Sequence, residues 1–257
     1  MVRIATWNVN SLRARLPRVL SWLEATRTEV VCLQETKQSD LNFDPTPFEA
    51  LGYQVLHHGD GQWNGVAIVS SVGLSDPIAG FGRADLEAGC RILTATCGGI
   101  RVSSVYAPNG RALDDPHYEV KLHWFEQLET WLRDEGLVDV PHAICGDFNI
   151  APSELDVYDP QALVGMTHVS DKERAALERL FSLGYRDAYR TINPEQQGFS
   201  WWDYRGGAFH QNHGMRIDLL LTSPLLTSRV TEAAVDRAAR KGEKPSDHAP
   251  VTISLID

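Results

Sequence analysis

Short apolar runs of strand length recur along this chain, and the first two of them enclose a helical pattern. Residues 2–7 and 30–33 are such runs, while residues 16–25 carry apolar side chains at helical spacing. A strand, a helix and a strand within about 35 residues predict a βαβ unit with a parallel pair of strands. The chain is therefore expected to fold around a β-sheet with helical crossovers.

The same strand pattern continues to the end of the chain, interrupted by two longer helical patterns. Strands are predicted at residues 54–57, 65–70, 91–96, 101–106, 143–145, 217–221 and 251–255, and helices at residues 117–135 and 171–183. A Gly98-Gly99 turn between two strands predicts a hairpin, so the sheets are expected to be mixed. No linker or repeat divides the sequence, and we expect one mixed α/β domain over residues 1–257.

Composition restricts where such a protein can work. Hydrophobic residues make up 43% of the 257 residues, yet no run of about eighteen is continuously apolar, which argues against a transmembrane span. The first residues lack a secretory signal, so we expect a cytoplasmic, nucleoid-associated protein. The four cysteines have neither metal-ligand spacing nor a histidine cluster, and we interpret them as reduced core thiols.

The net charge of −10 argues against nonspecific binding of nucleic acid, because phosphate affinity comes mainly from Lys and Arg. Clustered carboxylates that hold a divalent cation would also lower the net charge, while the cation supplies positive charge at the phosphate. A nuclease with this composition would still need a local basic rim. Residues 237–244 could supply part of that rim, although such a segment is more often a solvated loop.

Polar side chains gather where predicted strands end, which is where α/β folds usually assemble their sites. The candidates are amides, carboxylates, a tyrosine and a histidine: Asn8, Asn10, Glu35, Tyr106, Asn109, Asp147, Asn149, Asp218, Asp247 and His248. No activated serine or cysteine nucleophile is evident. This set favours metal-assisted attack by water over a covalent route.

Taken singly, most of these residues have a plainer explanation. An isolated Asn after a strand is usually a turn residue or a helix cap, and a lone Glu35 or Asp147 could be a solvated charge or an Asx turn. Asp218 differs, because it lies in the apolar run at residues 217–221 and needs a partner if buried; we expect a histidine. Trp201 and Trp202 fit a core position and stacking on a base or sugar equally well.

Several segments taken together carry a resemblance to a known family. They are the Trp-Asn-Val-Asn segment at 7–10, Gln-Glu-Thr-Lys at 34–37, Trp-Asn-Gly at 63–65, Gly-Asp-Phe-Asn at 146–149, Trp-Trp-Asp-Tyr-Arg at 201–205, Arg-Ile-Asp-Leu at 216–219 and Ser-Asp-His at 246–248. In this order, and nearly end to end, they resemble the exonuclease III type of AP endonuclease within the endonuclease, exonuclease and phosphatase superfamily. The 146–149 and 246–248 segments recur across that superfamily, whereas those at 34–37, 201–205 and 216–219 resemble its DNA-repair branch.

The resemblance implies a fold and a set of roles. The fold would be a four-layer α/β sandwich, with two mixed β-sheets packed face to face and helices outside. Mg²⁺, or Mn²⁺ as a substitute, would be held by Glu35, and the wider metal region would include Asn8, Asn10, Asp147, Asn149, Asp247 and His248. Asp147 would activate the water, Asn149 would position Asp147, and His248 paired with Asp218 would bind a phosphate oxygen. Tyr106 would contact the phosphate or assist the leaving group.

The implied substrate is double-stranded DNA with abasic sites or damaged 3′ ends. A monomer would cut the backbone 5′ to the abasic site and would also have 3′-5′ exonuclease and 3′-end-repair activity. Substrate contacts would come from Arg13, Lys37, Asn64, Asn109, Trp202, Arg205 and Arg216. Two alternatives remain open: a hydrolase of small phosphoesters or phospholipids, and a noncatalytic DNA-binding protein with the same fold.

Overall fold

Two six-stranded β-sheets form the centre of the protein in the computed structural model, which describes residues 1–256. The first sheet contains β1 (Val2–Asn8), β2 (Val30–Gln34), β3 (Gln54–His58), β4 (Val66–Ser70), β11 (Val230–Val235) and β12 (Val251–Leu255). The second contains β5 (Ser75–Ala79), β6 (Ile92–Cys97), β7 (Ile100–Tyr106), β8 (His142–Asp147), β9 (Arg186–Asp187) and β10 (Asp218–Thr222). Their strand orders are β11-β12-β1-β2-β4-β3 and β5-β6-β7-β8-β10-β9, respectively.

Both sheets are mixed, as the sequence predicts. The pairs β1–β2 and β7–β8 are parallel, whereas the other strand pairs are antiparallel. The β6–β7 pair is the predicted hairpin, with Gly98 and Gly99 at its turn, both at positive φ.

Seven helices connect these strands within the described part of the chain. They are α1 (Leu12–Thr26), α2 (Thr46–Glu49), α3 (Pro116–Asp134), α4 (Asp171–Ser182), α5 (Ala188–Ile192), α6 (Ala208–Gln211) and α7 (Pro224–Thr227). Helix α4 begins with a reciprocal capping box between Ser170 and Glu173, which fixes where the helix starts. None of the helices within residues 1–256 is long and apolar enough to cross a membrane.

Successive side chains of each strand point to opposite faces of its sheet, and both faces are apolar. One face packs against the other sheet and the opposite face against helices, which gives four layers: helices, two sheets and helices. In β2, Val30 and Cys32 point into the core between the sheets, while Val31 and Leu33 pack against α1 and α2. In the second sheet, Leu220 faces the same inter-sheet core, and its neighbours in β10 pack toward α3 and α4. The expected four-layer sandwich of two mixed sheets is thus confirmed.

Some sequence predictions differ from the structure in detail. The sequence pattern does not predict strands β5, β9 and β11, because they are short or expose much of their length at sheet edges. Val120, predicted on the apolar face of α3, is 56% exposed, and Lys121 lies inside instead. All four cysteines are free thiols, but Cys90 is only partly buried and so is not a core residue.

Candidate active site

The sheet pairing brings the predicted polar residues to one edge of both sheets. Asn8 is paired in register with Gln34 in the parallel β1–β2 pair, so Glu35 follows immediately beside it. In the second sheet, Tyr106 and Asp218 both pair with Asp147 from its two sides. The ends of these strands therefore meet at a single place.

Gly146 allows strands β7 and β8 to lie close together next to the site. A Cβ atom built on Gly146 would lie 1.9 Å from the carbonyl oxygen of Val105 in the neighbouring strand. No other residue can occupy this position without moving the backbone of β7 or β8. The glycine thus fixes the approach of Asp147 to its neighbours.

Asn8 joins the two central carboxylates. Its side-chain nitrogen donates to Glu35 Oε1 at 2.8 Å and to Asp147 Oδ2 at 2.9 Å, while its Oδ1 accepts the amide of Asn10 at 2.9 Å. The Asn8 side chain thus bridges the two carboxylates and also orients the backbone of Asn10.

His248 lies opposite these carboxylates in an oriented form. Its Nδ1 donates to Asp218 Oδ2 at 2.8 Å, and its Nε2 lies 3.8 Å from Asp147 Oδ2. The predicted pairing of Asp218 with a histidine is present in the structure. Burial alone would lower the pKa of His248, but the charge of Asp218 and its hydrogen bond, with the charges of Asp147 and Asp247, raise it to about 10.

Asp147 and Tyr106 both hold their protons more tightly than usual. Burial raises the pKa of Asp147, and the charge of Asp218 adds to this effect against the opposing charge of His248. Burial and the charges of Glu35 and Asp147 likewise raise the pKa of the Tyr106 phenol well above its ordinary value. Tyr106 is therefore a neutral hydrogen-bond donor.

Asn149 connects the Asp147 carboxylate to the second sheet. Its backbone amide donates to Asp147 Oδ1 at 2.9 Å, and its side-chain nitrogen donates to the carbonyl of Ala107 at 3.0 Å. Asn109 donates to Asn149 Oδ1 at 3.3 Å. Asn149 is thereby positioned next to Asp147, as the resemblance implies.

A second polar group flanks the site on the side of the first sheet. Asn10 donates to Asp247 Oδ1 at 3.0 Å, and Trp201 donates to Asp247 Oδ2 at 3.1 Å. Lys37 Nζ bridges Asn10 Oδ1 at 2.6 Å and Glu35 Oε2 at 2.9 Å. Asp247 thus orients Asn10 and Trp201, one step removed from the central carboxylates.

Ligand atoms of Glu35, Asp147 and His248 all lie within 4.8 Å of one another, which suits a single metal ion. Two carboxylates provide the hard oxygen ligands that Mg²⁺ prefers. The raised pKa of His248 favours the imidazolium form, which is a charge-assisted hydrogen-bond donor. The residues present therefore fit a cation held by Glu35 and Asp147, with His248 beside it.

Four of the predicted substrate residues have side chains that solvent reaches. Arg13 and Arg205 are exposed, Asn64 is half-buried beside Lys37, and Asn109 is exposed next to Asn149. All four are accessible from the open side.

Two predicted substrate residues are buried in the structure. Trp202 is 1% exposed and packs against Phe209 and Ala249, so it is a core residue. Arg216 is fully buried, with ion pairs of 2.7 Å to both Asp156 and Asp187. Neither side chain can reach a ligand at the surface.

A basic flank adjoins the site despite the net charge of −10. Arg15 donates to the carbonyl of Asn10 at 2.7 Å and to the Tyr204 hydroxyl at 3.0 Å, and the guanidinium of Arg240 lies 5.0 Å from the Tyr204 ring centre. Arg18 donates to backbone carbonyls of the 237–244 segment, which it holds close by. These arginines place positive charge beside Asn10, where their guanidinium groups hold the neighbouring segments together.

Sequence reasoning missed a buried group directly behind Asn149. It consists of Lys121, Glu173 and His168, which contact one another or the carbonyl of Asn149. In the sequence, Lys121 is unusual only in that a charged residue falls on the buried face of an amphipathic helix. That face becomes known only from the structure.

Comparison with known proteins shows the family to which the chain belongs. The Endonuclease/Exonuclease/phosphatase family matches residues 5–248. The chain belongs to this family. All the residues of the carboxylate and histidine group lie within or at the boundary of the matched segment.

Relatives within the Endonuclease/Exonuclease/phosphatase family narrow the assignment. Exodeoxyribonuclease III of Haemophilus influenzae is 33% identical over 97% of this chain and 98% of its own length. The solved AP endonuclease from Archaeoglobus fulgidus is 34% identical with a TM-score of 0.96, covering 100% of both chains. The 3'-5' exonuclease NExo from Neisseria meningitidis is 38% identical with a TM-score of 0.95, covering 99% of both chains. The chain is therefore a phosphodiester hydrolase of the exonuclease III type, and the resemblance read from the sequence is confirmed.

Proposed function

We propose that this protein is a Mg²⁺-dependent DNA-repair nuclease that cleaves the backbone 5′ to abasic sites and also processes 3′ ends. The observation that carries this proposal is the pair of carboxylates, Glu35 and Asp147, held together by Asn8 and facing the Asp218-oriented His248. The names of the relatives support DNA as the substrate. A Neisseria relative described as the 3' phosphatase NExo, 37% identical, was solved with a product DNA hairpin.

In this proposal, residues of the chain divide the work of hydrolysis. Glu35 and Asp147 hold the cation, which when bound neutralises phosphate charge and lowers the pKa of water. Asp147 takes the proton of the attacking water while the new phosphorus–oxygen bond forms. Asn149 and the protonated His248 donate to the phosphate oxygens as charge accumulates there.

Departure of the leaving group completes the reaction. The bond between phosphorus and the leaving oxygen breaks, and that oxygen acquires a proton. We assign the donation of this proton to Tyr106, whose phenol is protonated beside Glu35 and Asp147 and regains a proton after the product leaves. We further propose that the protein works as a monomer on double-stranded DNA, with Arg13, Asn64, Asn109 and Arg205 at the rim contacting the strand.

The decisive experiment offers purified protein a set of labelled substrates with Mg²⁺ and with EDTA. The set contains a duplex with one abasic-site analogue, an undamaged duplex with a recessed 3′ end, a duplex with a 3′-phosphate, and a small phosphodiester. We expect Mg²⁺-dependent hydrolysis of DNA, and the relative rates rank the activities at abasic sites and 3′ ends. Turnover of the small ester alone would establish the alternative hydrolase, and DNA binding without cleavage would indicate a noncatalytic protein.

Replacing Glu35 with Gln tests the metal assignment. Loss of one carboxylate should raise the Mg²⁺ concentration needed for half-maximal cleavage by about tenfold or more, because an amide is a weaker ligand for a hard cation. Titration of Mg²⁺ into the DNA-free protein by calorimetry should show the same weakening. Glu24→Gln, at an exposed position on α1, is the matched control and should leave both values unchanged. Equal Mg²⁺ dependence in wild type and Glu35→Gln would reject the assignment.

A further inference from the structure

A fully buried ion pair lies between α3 and α4, outside the group of residues assigned to catalysis. Lys121 and Glu173 are both 0% exposed and form a direct contact between Nζ and Oε1. Buried ion pairs rarely stabilise a protein more than apolar residues of the same size, because both charges lose their hydration. Stability alone is thus a poor explanation for this pair.

The lysine reaches past its partner to the backbone of a site residue. Lys121 Nζ donates to the carbonyl oxygen of Asn149 at 2.6 Å. His168 Nδ1 donates to the same oxygen, also at 2.6 Å. Two side-chain donors therefore converge on one carbonyl immediately behind the site.

The backbone of Asn149 needs such support. Asn149 has a φ of 52°, in the left-handed region that costs free energy for residues other than glycine. Its amide holds Asp147 Oδ1 at 2.9 Å, so a rotation of this residue would move the donor away from the Asp147 carboxylate. The two donors on its carbonyl oppose that rotation.

Glu173 organises the segment from which the second donor comes. Its Oε1 accepts from Thr167 Oγ1 at 2.8 Å and from the amide of His168 at 2.9 Å, in addition to Lys121. Its Oε2 accepts from the amide and hydroxyl of Ser170 at 3.1 and 2.6 Å. One carboxylate thus fixes Lys121, the start of α4 and the backbone that carries His168.

We propose that Lys121 and Glu173 are positioning residues, which hold the left-handed Asn149 so that its amide and side chain keep Asp147 and the phosphate-binding groups in register. This inference rests on the proposed function, because it concerns the same hydrolytic site. Both side chains are fully buried, and the contact of the pair with the site is the hydrogen bond from Lys121 to the Asn149 carbonyl.

The test variant is the double substitution Lys121→Met with Glu173→Gln. Methionine fills the volume of the lysine stem, and glutamine keeps an oxygen for Thr167 and His168 without leaving a buried charge unpaired. We expect kcat to fall by about tenfold or more, because small misplacements of reacting groups have large effects on rate. The KM for DNA should stay within about threefold of the wild-type value, since the rim that contacts the strand is unaltered.

A matched control separates positioning from general destabilisation. Leu128→Ala removes a fully buried side chain from the same face of α3 without touching Asn149. Its Tm should fall at least as far as that of the double variant, with kcat within about twofold of wild type. In NMR spectra of the metal-free protein, the amide resonances of Asp147 and Asn149 should move in the double variant and stay in place in Leu128→Ala.

Each outcome decides the inference. A double variant that loses stability but keeps its kcat and its Asn149 resonance would overturn it, leaving the pair a structural contact only. If the double variant does not fold, Lys121→Met alone is measured in the same way, because Glu173 keeps its hydrogen bonds from Thr167, His168 and Ser170. An unchanged kcat there overturns the inference. Failure of the wild-type protein to hydrolyse any DNA would instead reject the proposed function, so the two failures are distinguishable.

Discussion

Replacing Asp147 with Asn should lower the rate of DNA cleavage by about 10³- to 10⁴-fold while leaving the protein folded. In the proposed mechanism, the substitution removes both a cation ligand and the proton acceptor for water, yet it preserves the volume of the side chain. Because Asp147 is 2% exposed and its charge is costly to bury, the unfolding free energy should stay constant or rise. DNA affinity should be retained, since one negative charge near the phosphate is lost.

Single-turnover cleavage of the labelled substrate, together with fluorescence anisotropy for binding, measures these effects. Asp76→Asn is the matched control, because Asp76 is an exposed carboxylate on β5 in the outer part of the second sheet. It should cleave at the wild-type rate. A rate for Asp147→Asn within about tenfold of wild type would mean that another group accepts the proton.

Replacing Arg216 with Met should destabilise the fold by roughly 3–5 kcal/mol, the usual cost of leaving a buried partner charge uncompensated. Arg216 donates through Nε to Asp156 and through Nη2 to Asp187, and neither carboxylate is more than 7% exposed. Arg190 still contacts Asp156 at 2.6 Å in the variant, but Asp187 loses its ion pair. Urea unfolding monitored by tryptophan fluorescence gives the free energy difference.

Two companion variants test the cause of this loss. Combining Arg216→Met with Asp156→Asn and Asp187→Asn removes the unpaired charges and should recover part of the lost stability. Arg133→Met breaks an exposed ion pair with Glu129 on α3 and should change stability by less than about 1 kcal/mol. Equal, small effects for Arg216→Met and Arg133→Met would show that the buried cluster contributes little.

The sequence alone is sufficient to predict as candidates the site residues that lie at strand ends. α/β folds assemble their sites at strand ends, so the strand pattern marks Glu35 and Asp147 as candidates. Their meeting at one site is implied by the resemblance, because β2 and β8 lie in different sheets. Asp218 is predicted to pair with a histidine because an ionised carboxylate in an apolar run needs a partner. The choice of candidates and the pairing of Asp218 use only local pattern and the cost of burying charge.

Local sequence pattern cannot tell which of two adjacent residues of the same type lies at the site and which lies in the core. Trp201 and Trp202 are neighbours, yet Trp201 reaches Asp247 while Trp202 lies in the core. The resemblance assigns Arg216 to the substrate. Its actual partners are 60 and 29 residues away along the chain, and no local pattern records them.

The positioning pair is invisible in the sequence for a related reason. A lysine on an amphipathic helix normally reaches solvent, and the apolar pattern of α3 predicts Val120 inward. If the buried face of α3 is misplaced by one residue, Lys121 is predicted to face solvent. Its partner Glu173 lies 52 residues later and looks like an ordinary capping-box residue.

The pairing of β1 with β12 has a consequence for biosynthesis. Val2 is in register with Leu255, and Trp7 donates to the carbonyl of His248, 241 residues later. During translation, β1 can pair with β2 early, whereas its other neighbour β12 emerges from the ribosome much later, and contacts this distant in sequence form slowly. A nascent polypeptide that has not reached residue 248 lacks the imidazole, so the group of Glu35, Asp147 and His248 assembles only after β1, β2 and β8 have been made.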